Sequence, residues 1–169
     1  NDKTIPSAAT TLTMSGKKYL TFKNIIFVGG NTSPSVVSSS SNPQYTKFEN
    51  CVFIGSRGAG AIIIIATVDN PLYWRIDKCI LVNGTANAVI SLSAPKTTVA
   101  EYSLDFLVSN SILIHTTSNT HINIASTLGA TYGPGGVTGY NCLFLNGARG
   151  FYAADTGVAT GIKNGIFNS

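Results

Sequence analysis

The stretch Phe48-Glu49-Asn50-Cys51-Val52-Phe53-Ile54-Gly55-Ser56 carries a pattern that returns along the whole chain. An apolar residue (Gly139 in one copy) comes two positions before a central residue, usually Asn, and a second apolar residue comes three positions after it. Successive centres lie 26, 28, 32, 31 and 23 residues apart, at Asn24, Asn50, Lys78, Asn110, Asn141 and Asn164. Repetition at spacings of about 20–50 residues indicates a repeat architecture.

A second apolar segment follows each centre by about ten to twelve residues. These segments are rich in β-branched residues, and Ser, Gly, Pro and Asn fill the intervals between them, as turns require. The pattern therefore predicts a second strand in each repeat, at Val36-Val37 and at residues 61–66, 88–92, 121–125 and 150–154.

The composition favours an all-β fold. Ser, Thr, Asn and Gly number 17, 19, 15 and 17 of 169 residues, whereas only 11% of residues are charged. This balance is unfavourable for coiled coils and long solvated helices, which are rich in Glu, Lys, Arg, Ala and Leu. The 44% hydrophobic content can fill a core, and it shows no 3.6-residue periodicity.

With these repeats the sequence resembles the right-handed parallel β-helix family, of the pectate-lyase and phage-tailspike kind. The resemblance covers residues 19–169 and implies about five to six coils, truncated at the C-terminal end. Residues 1–18 would then form an N-terminal lead-in or capping segment. In such a fold successive coils pair at about 4.8 Å, so that equivalent residues stack into columns.

The central residues are expected to form one such column at a bend in the strand. Asn tolerates left-handed backbone geometry, and its amide can bond to the amide of the next coil. We interpret this column as a structural ladder, which Lys78 interrupts, so a local irregularity is expected at Lys78. The ladder comprises Asn24, Asn50, Asn110, Asn141 and Asn164.

Alternation along the strands predicts which side chains form the core. It places Trp74 inside, which disfavours a sugar-stacking role for this residue. It also places the three Cys in one inward column, as small hydrophobes rather than a disulfide or a metal site, because CxxC spacing and an in-phase His are missing. The predicted inward residues include Leu20, Phe22, Ile25, Phe27, Phe48, Cys51, Phe53, Ile76, Cys79, Leu81, Phe106, Val108, Ser111, Leu113, Val137, Cys142, Phe144 and Phe167.

The positions that should alternate outward after each centre are also apolar. An exposed face of this kind would exceed the roughly 300–600 Å² of the largest apolar patch on a typical monomer, so something is expected to cover it. A second and third copy about a three-fold axis would do so, and we therefore expect a homotrimer. Its interface would contain Ile26, Val52, Ile80, Ile112 and Leu143.

A second outward column suggests a glycan-binding face. Tyr19, Tyr45 and Tyr73 fall in one column beside Lys47 and Arg75. Stacked aromatic rings next to cations could bind a sugar, and they could equally form a surface ladder with no ligand.

Catalytic chemistry has one weak candidate, the pair Glu49 and Asp77. Glycoside hydrolysis uses two carboxyl groups about 5–5.5 or 6.5–9.5 Å apart, and these two precede the centres of adjacent coils. A surface charge ladder with Lys23 explains the same residues without catalysis. His115 and His121 show no triad pattern, and no metal-ligand set or cofactor motif is found.

Two classes of partner are disfavoured. The net charge is +4, but no run of Lys or Arg exceeds the two residues Lys17-Lys18, so the basic stripe of a nucleic-acid interface is missing. The longest apolar run, residues 59–68, is far short of the ~20 residues that a membrane-spanning helix needs, and no membrane insertion is expected.

The leading functional interpretation is a structural or adhesive virion component, a segment of a phage tail spike or tail fibre. It would lie at the virion surface, outside the cell, contact other virion proteins and bind a host-surface polysaccharide. Two alternatives remain open: a carbohydrate-active enzyme (glycanase or polysaccharide lyase) on the same coil, and a secreted bacterial adhesin such as an autotransporter passenger. The step from fold to function rests on analogy.

Overall fold

A computed structural model describes residues 12–14, 16–29, 37–39, 44–55, 61–65, 72–84, 88–93, 104–117, 119–125, 136–153, 159–163 and 165–168. Every regular element in these ranges is a β-strand, which confirms the all-β prediction. The strands are β1 (Leu12–Thr13), β2 (Lys18–Lys23), β3 (Ile26–Val28), β4 (Val37–Ser39), β5 (Gln44–Glu49), β6 (Val52–Ile54), β7 (Ile63–Ile65), β8 (Leu72–Asp77), β9 (Ile80–Asn83), β10 (Ile90–Ser93), β11 (Leu104–Ser109), β12 (Ile112–His115), β13 (Thr120–Ala125), β14 (Gly136–Tyr140), β15 (Leu143–Leu145), β16 (Arg149–Ala153), β17 (Ala159–Lys163) and β18 (Ile166–Asn168).

The strands form three six-stranded parallel sheets, and the chain visits the sheets in turn. Sheet 1 has the order β1-β4-β7-β10-β13-β16, sheet 2 the order β2-β5-β8-β11-β14-β17 and sheet 3 the order β3-β6-β9-β12-β15-β18. Neighbours within a sheet are therefore always three strands apart in sequence. The predicted second strands overlap β4, β7, β10, β13 and β16, all in sheet 1; at β4 the overlap is Val37 alone.

The strand register places equivalent residues of successive repeats side by side. Phe48 pairs with Phe22 and Ile76 in sheet 2, and Phe53 pairs with Phe27 and Leu81 in sheet 3. Like residues therefore stack into columns across each sheet, and the sequence repeat follows the sheet pairing.

The central residue of each repeat turns the chain from sheet 2 into sheet 3. Its φ angle lies between 49° and 57°, in the left-handed region that Asn adopts more readily than other non-glycine residues. Lys78 adopts the same conformation, with φ 54°, and its N–H donates to Ser109 O at 3.1 Å just as its equivalents pair with the next repeat. The predicted irregularity at Lys78 is therefore wrong for the backbone. The residues that share this conformation are Asn24, Asn50, Lys78, Asn110 and Asn141.

Aromatic side chains dominate the core between the sheets around Phe48. Phe48 is fully buried, and four rings surround it with centroids 5.0–6.0 Å away. Trp74 is also fully buried, which confirms its predicted place in the core. Ile25 is instead 37% exposed, so its predicted core position is wrong. It precedes β3, and within the described part of the chain β3 is an edge strand of sheet 3. The side chain of Phe167 lies outside the described residues.

The predicted lead-in segment 1–18 contributes to the sheets. β1 pairs with β4 in sheet 1, β2 begins at Lys18, and Met14 is buried in the core. Residues 1–11 lie outside the described ranges.

Thr46 is a polar residue in an apolar column. It pairs with Leu20 on one side and Trp74 on the other, it is 1% exposed, and its Oγ1 has no hydrogen-bond partner among the described residues. A buried hydroxyl without a partner costs about 1–3 kcal/mol of stability, because folding removes its hydrogen bonds to water and supplies no replacement.

We therefore expect Thr46→Val to raise the free energy of unfolding by about 1 kcal/mol or more. Urea denaturation followed by circular dichroism would measure the change. Thr138→Val, on the partly exposed face of sheet 2, is the matched control and should change stability by less than about 0.5 kcal/mol. A loss of stability in Thr46→Val would contradict the prediction.

Candidate functional site

Three Tyr rings stack on the outer face of sheet 2. The Tyr19 and Tyr45 centroids lie 4.7 Å apart with an interplanar angle of 7°, and the Tyr45 and Tyr73 centroids 4.7 Å apart with an angle of 9°. Tyr19 is 74% exposed and Tyr45 39%. The three residues form the Tyr stack. Both faces of the Tyr45 ring are covered by its neighbours, so the stack presents ring edges and hydroxyls to solvent along most of its length.

Two members of the Tyr stack have unusual backbone geometry. Tyr19 and Tyr45 have φ angles of 56° and 55°, in the left-handed region that bulky residues seldom occupy. Both strands make the same distortion at the same position, whereas Tyr73, whose ring is also nearly parallel to Tyr45, is not among the positive-φ residues. Sequence alternation alone predicted the shared column but not this conformation.

A shallow depression of about 310 Å³ lies beside the Tyr stack. It is lined by Tyr45, Thr46, Lys47, Tyr73 and Arg75, which include four of the five residues predicted to bind glycan. Tyr19 extends the stack beyond it. The structure therefore brings the predicted glycan-binding residues together on one surface.

The cations of this surface are engaged by carboxylates. Arg75 donates two hydrogen bonds to the Asp105 carboxylate, with N–O distances of 3.0 and 2.5 Å. Glu49 Oε2 lies 2.8 Å from Lys47 Nζ and 3.2 Å from Lys23 Nζ. The Lys47 hydrogen bond, supported by Lys23, lowers the pKa of Glu49 and keeps it ionised. Asp105 was not among the predicted site residues. It pairs with Tyr73 and continues the same outward column, and in the sequence it precedes the inward Phe106 as Tyr73 precedes Trp74.

Glu49 and Asp77, the weak catalytic pair, are direct partners on β5 and β8. Each carboxylate already has structural contacts. Glu49 is held by two Lys side chains, and Asp77 Oδ1 accepts hydrogen bonds from Ser109 Oγ and Asn110 Nδ2, both at 2.8 Å. These contacts give both acids a role in joining successive strands.

The Asn side chains bond to one another along the bend. Asn50 Nδ2 donates to Asn24 Oδ1 at 2.7 Å, and Asn141 Nδ2 donates to Asn110 Oδ1 at 2.8 Å. Where Lys78 interrupts this series, Asn110 donates to Asp77 instead, so a carboxylate replaces the missing amide oxygen. Asn164, the last predicted member, lies outside the described residues.

The three Cys side chains are buried, and their thiols are free. The Cys51 N–H donates to Cys79 Sγ at 3.4 Å, and the Cys79 N–H to Ser111 Oγ at 3.0 Å. Burial raises the pKa of Cys79 to about 12, so the thiol stays protonated and is a poor nucleophile at neutral pH. In the described part of the chain no group of three or more His, Cys, Asp or Glu side chains could hold a metal ion.

The outer face of sheet 3 carries two adjacent apolar columns, which we name the apolar stripe. Exposure is greatest at the edge strands, with 67% for Ile26, and is 38% for Ile80 in the middle of the sheet. Six paired strands at ~4.8 Å make the stripe about 24 Å long. The first column is Ile26, Val52, Ile80, Ile112, Leu143 and Ile166, and the second is Val28, Ile54, Val82, Ile114 and Leu145.

His115 and His121 are fully buried, and their rings meet edge to face with centroids 6.2 Å apart. His121 Nδ1 lies 3.1 Å from Arg149 O and Nε2 2.9 Å from Leu145 O. A neutral imidazole can donate through only one of these nitrogens. Burial, joined by the nearby His115, lowers the pKa of His121 below its ordinary 6.5, and the backbone carbonyls oppose this shift.

We expect the free energy of unfolding to fall as the pH is lowered through 6.5, the ordinary imidazole value. The unfolded chain then binds a proton at position 121 that the folded chain, with its lowered pKa, does not. Chemical denaturation over a pH series would measure this dependence, which His121→Gln should abolish in that range. Stability that rises on acidification would contradict the prediction, because it would require a charged imidazole bonded to both carbonyls.

Comparisons of this chain with protein-family models, with curated proteins and with solved structures found no match. The described residues include no helix of the length and apolarity that crossing a membrane would require.

Proposed function

We propose that this chain is a segment of a right-handed parallel β-helix in a structural, adhesive projection, of the phage tail-spike or tail-fibre kind. The observation that carries the proposal is the sheet order, in which paired strands are always three places apart along the chain. A chain that coils through three faces in turn produces this order. Such a coil suits a rigid projection because its backbone groups are paired from one repeat to the next.

The proposed ligand is a glycan of the host surface, bound at the Tyr stack and the adjoining depression. Tyr hydroxyls at the ring edges, together with the Lys47 and Arg75 side chains, offer hydrogen-bond donors to sugar hydroxyls. Because both cations are already paired with carboxylates, the surface offers little net positive charge. This favours recognition by hydroxyl contacts over attraction of an anion.

An array of bacterial and animal glycans, probed with the purified chain, tests this ligand. Binding should occur and should fall about tenfold or more in the double variant Tyr45→Ala/Tyr73→Ala, since aromatic and hydroxyl contacts are lost together. Tyr140→Ala is the matched control, because Tyr140 is similarly exposed on the same sheet but lies outside the stack. Absence of glycan binding, or equal binding by the double variant, would refute the glycan face.

The apolar stripe is proposed to pack against two further copies of the chain in a homotrimer, which would contact other virion proteins. A stable interface buries about 800 Å² on each partner. A stripe about 24 Å long and two residues wide covers less than half of that, so it falls within the roughly 300–600 Å² of a monomer's largest apolar patch rather than above it as predicted, and flanking surface must contribute to a trimer interface. The three-fold arrangement lets each copy bury its stripe against two neighbours.

Mass photometry of the purified chain tests the assembly. We expect a particle of three times the 17.7 kDa chain mass, and dissociation when Ile80→Lys places a charge in the stripe. Thr138→Lys on sheet 2 is the control and should leave the trimer intact. A stable monomer of the unmodified chain would refute the trimer without bearing on the glycan face.

A further inference from the structure

A second depression lies on sheet 1, away from the Tyr stack. Its volume is about 280 Å³, and β13 and β16 supply most of its wall. The strand register sets Thr120 beside Arg149 and Asn123 beside Tyr152. The lining residues are Ala88, Asn119, Thr120, Asn123, Arg149 and Tyr152.

Arg149 brings an uncompensated charge to this depression. Its guanidinium carbon lies 5.2 Å from the centre of the Tyr152 ring, a cation–π contact that orients the group without using its N–H donors. None of the ion pairs among the described residues involves Arg149, in contrast to Arg75, which is paired with Asp105. The guanidinium is therefore available to an external carboxylate.

Asn123, a lining residue of the depression, carries an acceptor that lacks a donor. Asn123 Oδ1 is buried and has no hydrogen-bond partner among the described residues. The neighbouring amide oxygen, Asn119 Oδ1, already accepts from the Thr120 N–H at 2.7 Å. Asn123 Oδ1 accepts no hydrogen bond, so rotation of the Asn123 amide toward the depression breaks no hydrogen bond at this oxygen. A ligand hydroxyl, which both donates and accepts, could bond to either end of the turned amide.

We propose that this depression binds an acidic sugar unit, a monosaccharide residue that carries a carboxylate. The carboxylate pairs with the planar guanidinium of Arg149, and a ring hydroxyl bonds to Asn123. A volume of about 280 Å³ is near the lower limit of ligand pockets, which suits one sugar unit. This site lies on a different sheet from the Tyr stack and does not depend on the function proposed for it.

Saturation-transfer NMR titrations of the full chain would test the site with matched pairs of sugars. Glucuronate, galacturonate and N-acetylneuraminate are the acidic probes, glucose and galactose are the neutral partners of the first two, and acetate tests for a simple anion site. At least one acidic sugar should bind at least about tenfold more tightly than the neutral sugars and than acetate, and Arg149→Gln should remove that preference. Lys17→Gln removes one exposed charge outside the depression and should leave the preference unchanged.

Several outcomes would overturn the proposal. These are no binding of any acidic sugar, equal binding of neutral and acidic sugars, binding of acetate as tight as that of the sugars, or an undiminished preference in Arg149→Gln. Circular dichroism of Arg149→Gln would verify that the variant is folded. If it is not, Tyr152→Leu serves instead, since it removes the surface that orients Arg149 and should weaken acidic-sugar binding at least threefold.

Discussion

Replacing Phe48 with alanine is expected to lower the free energy of unfolding by about 3–5 kcal/mol. Phe48 is fully buried and stacks on Phe22 at 5.0 Å, while Phe53 and Trp74 lie 5.2 and 5.8 Å away. Its removal would leave a cavity shared by three successive repeats. The paired strands on both sides constrain the backbone, so the cavity cannot close cheaply.

Urea denaturation followed by far-ultraviolet circular dichroism would measure the Phe48→Ala effect. Phe48→Leu keeps most of the side-chain volume and should lower the free energy of unfolding much less. Tyr140→Ala removes an exposed ring and should lower it by less than about 1 kcal/mol. A loss below about 1 kcal/mol in Phe48→Ala would show that this ring is not part of a close-packed core.

Gly147→Ala is expected to destabilise the chain by about 3 kcal/mol or more, at the upper end of overpacking effects. A methyl group at this position would overlap His121 Cε1 and stand 2.8 Å from Asn119 O. Neither neighbour can move freely, because His121 is fully buried between two carbonyls and Asn119 O accepts the Ala148 N–H at 2.9 Å. The midpoint temperature of thermal unfolding should fall by about 6–12 °C.

Gly84→Ala is the matched control for this variant. A methyl group there meets only Thr116 Oγ1 at 3.7 Å, an ordinary contact, so the expected change is below about 1 kcal/mol. The double variant Gly147→Ala/His121→Ala should lose less stability than the two single variants lose together, because the imidazole ring that the new methyl group would overlap is gone. Additive losses would show that His121 is not the obstacle.

Local pattern was sufficient to predict the strands and much of the core. The alternation around each repeat centre placed Trp74, Phe48 and the three Cys inside, and all are buried. The preference of Asn for left-handed geometry predicted the bend, which occurs at φ values of 49–57°. These predictions succeeded because side-chain direction along a strand depends on neighbouring residues only. The same rule also required Thr46 to point inward, although its hydroxyl finds no partner there.

Two predictions failed, one at the edge of a sheet and one where a different residue replaces a hydrogen-bond acceptor. Ile25 is exposed because β3 forms an edge of sheet 3 among the described residues, and a repeat pattern carries no information about which repeat lies at the end of a sheet. Lys78 keeps the regular backbone and its N–H still donates to Ser109 O, while Asp77, the preceding residue, accepts the hydrogen bond that an Asn side chain would have accepted. The depression on sheet 1 was also not predicted, since Arg149 and Asn123 belong to different repeats and share no motif.

By itself, the sequence determined that the chain is built from parallel-pairing strands in repeats, with one face of each strand in a common core. Only the tertiary structure decided which polar groups of different repeats meet. Arg75 and Asp105 are 30 residues apart, and Asp77 and Asn110 are 33 apart, with loops of unequal length between the strands. The physical reason is that periodicity specifies the direction of a side chain, whereas a hydrogen bond or ion pair requires the register between strands, which is established only when the sheets assemble.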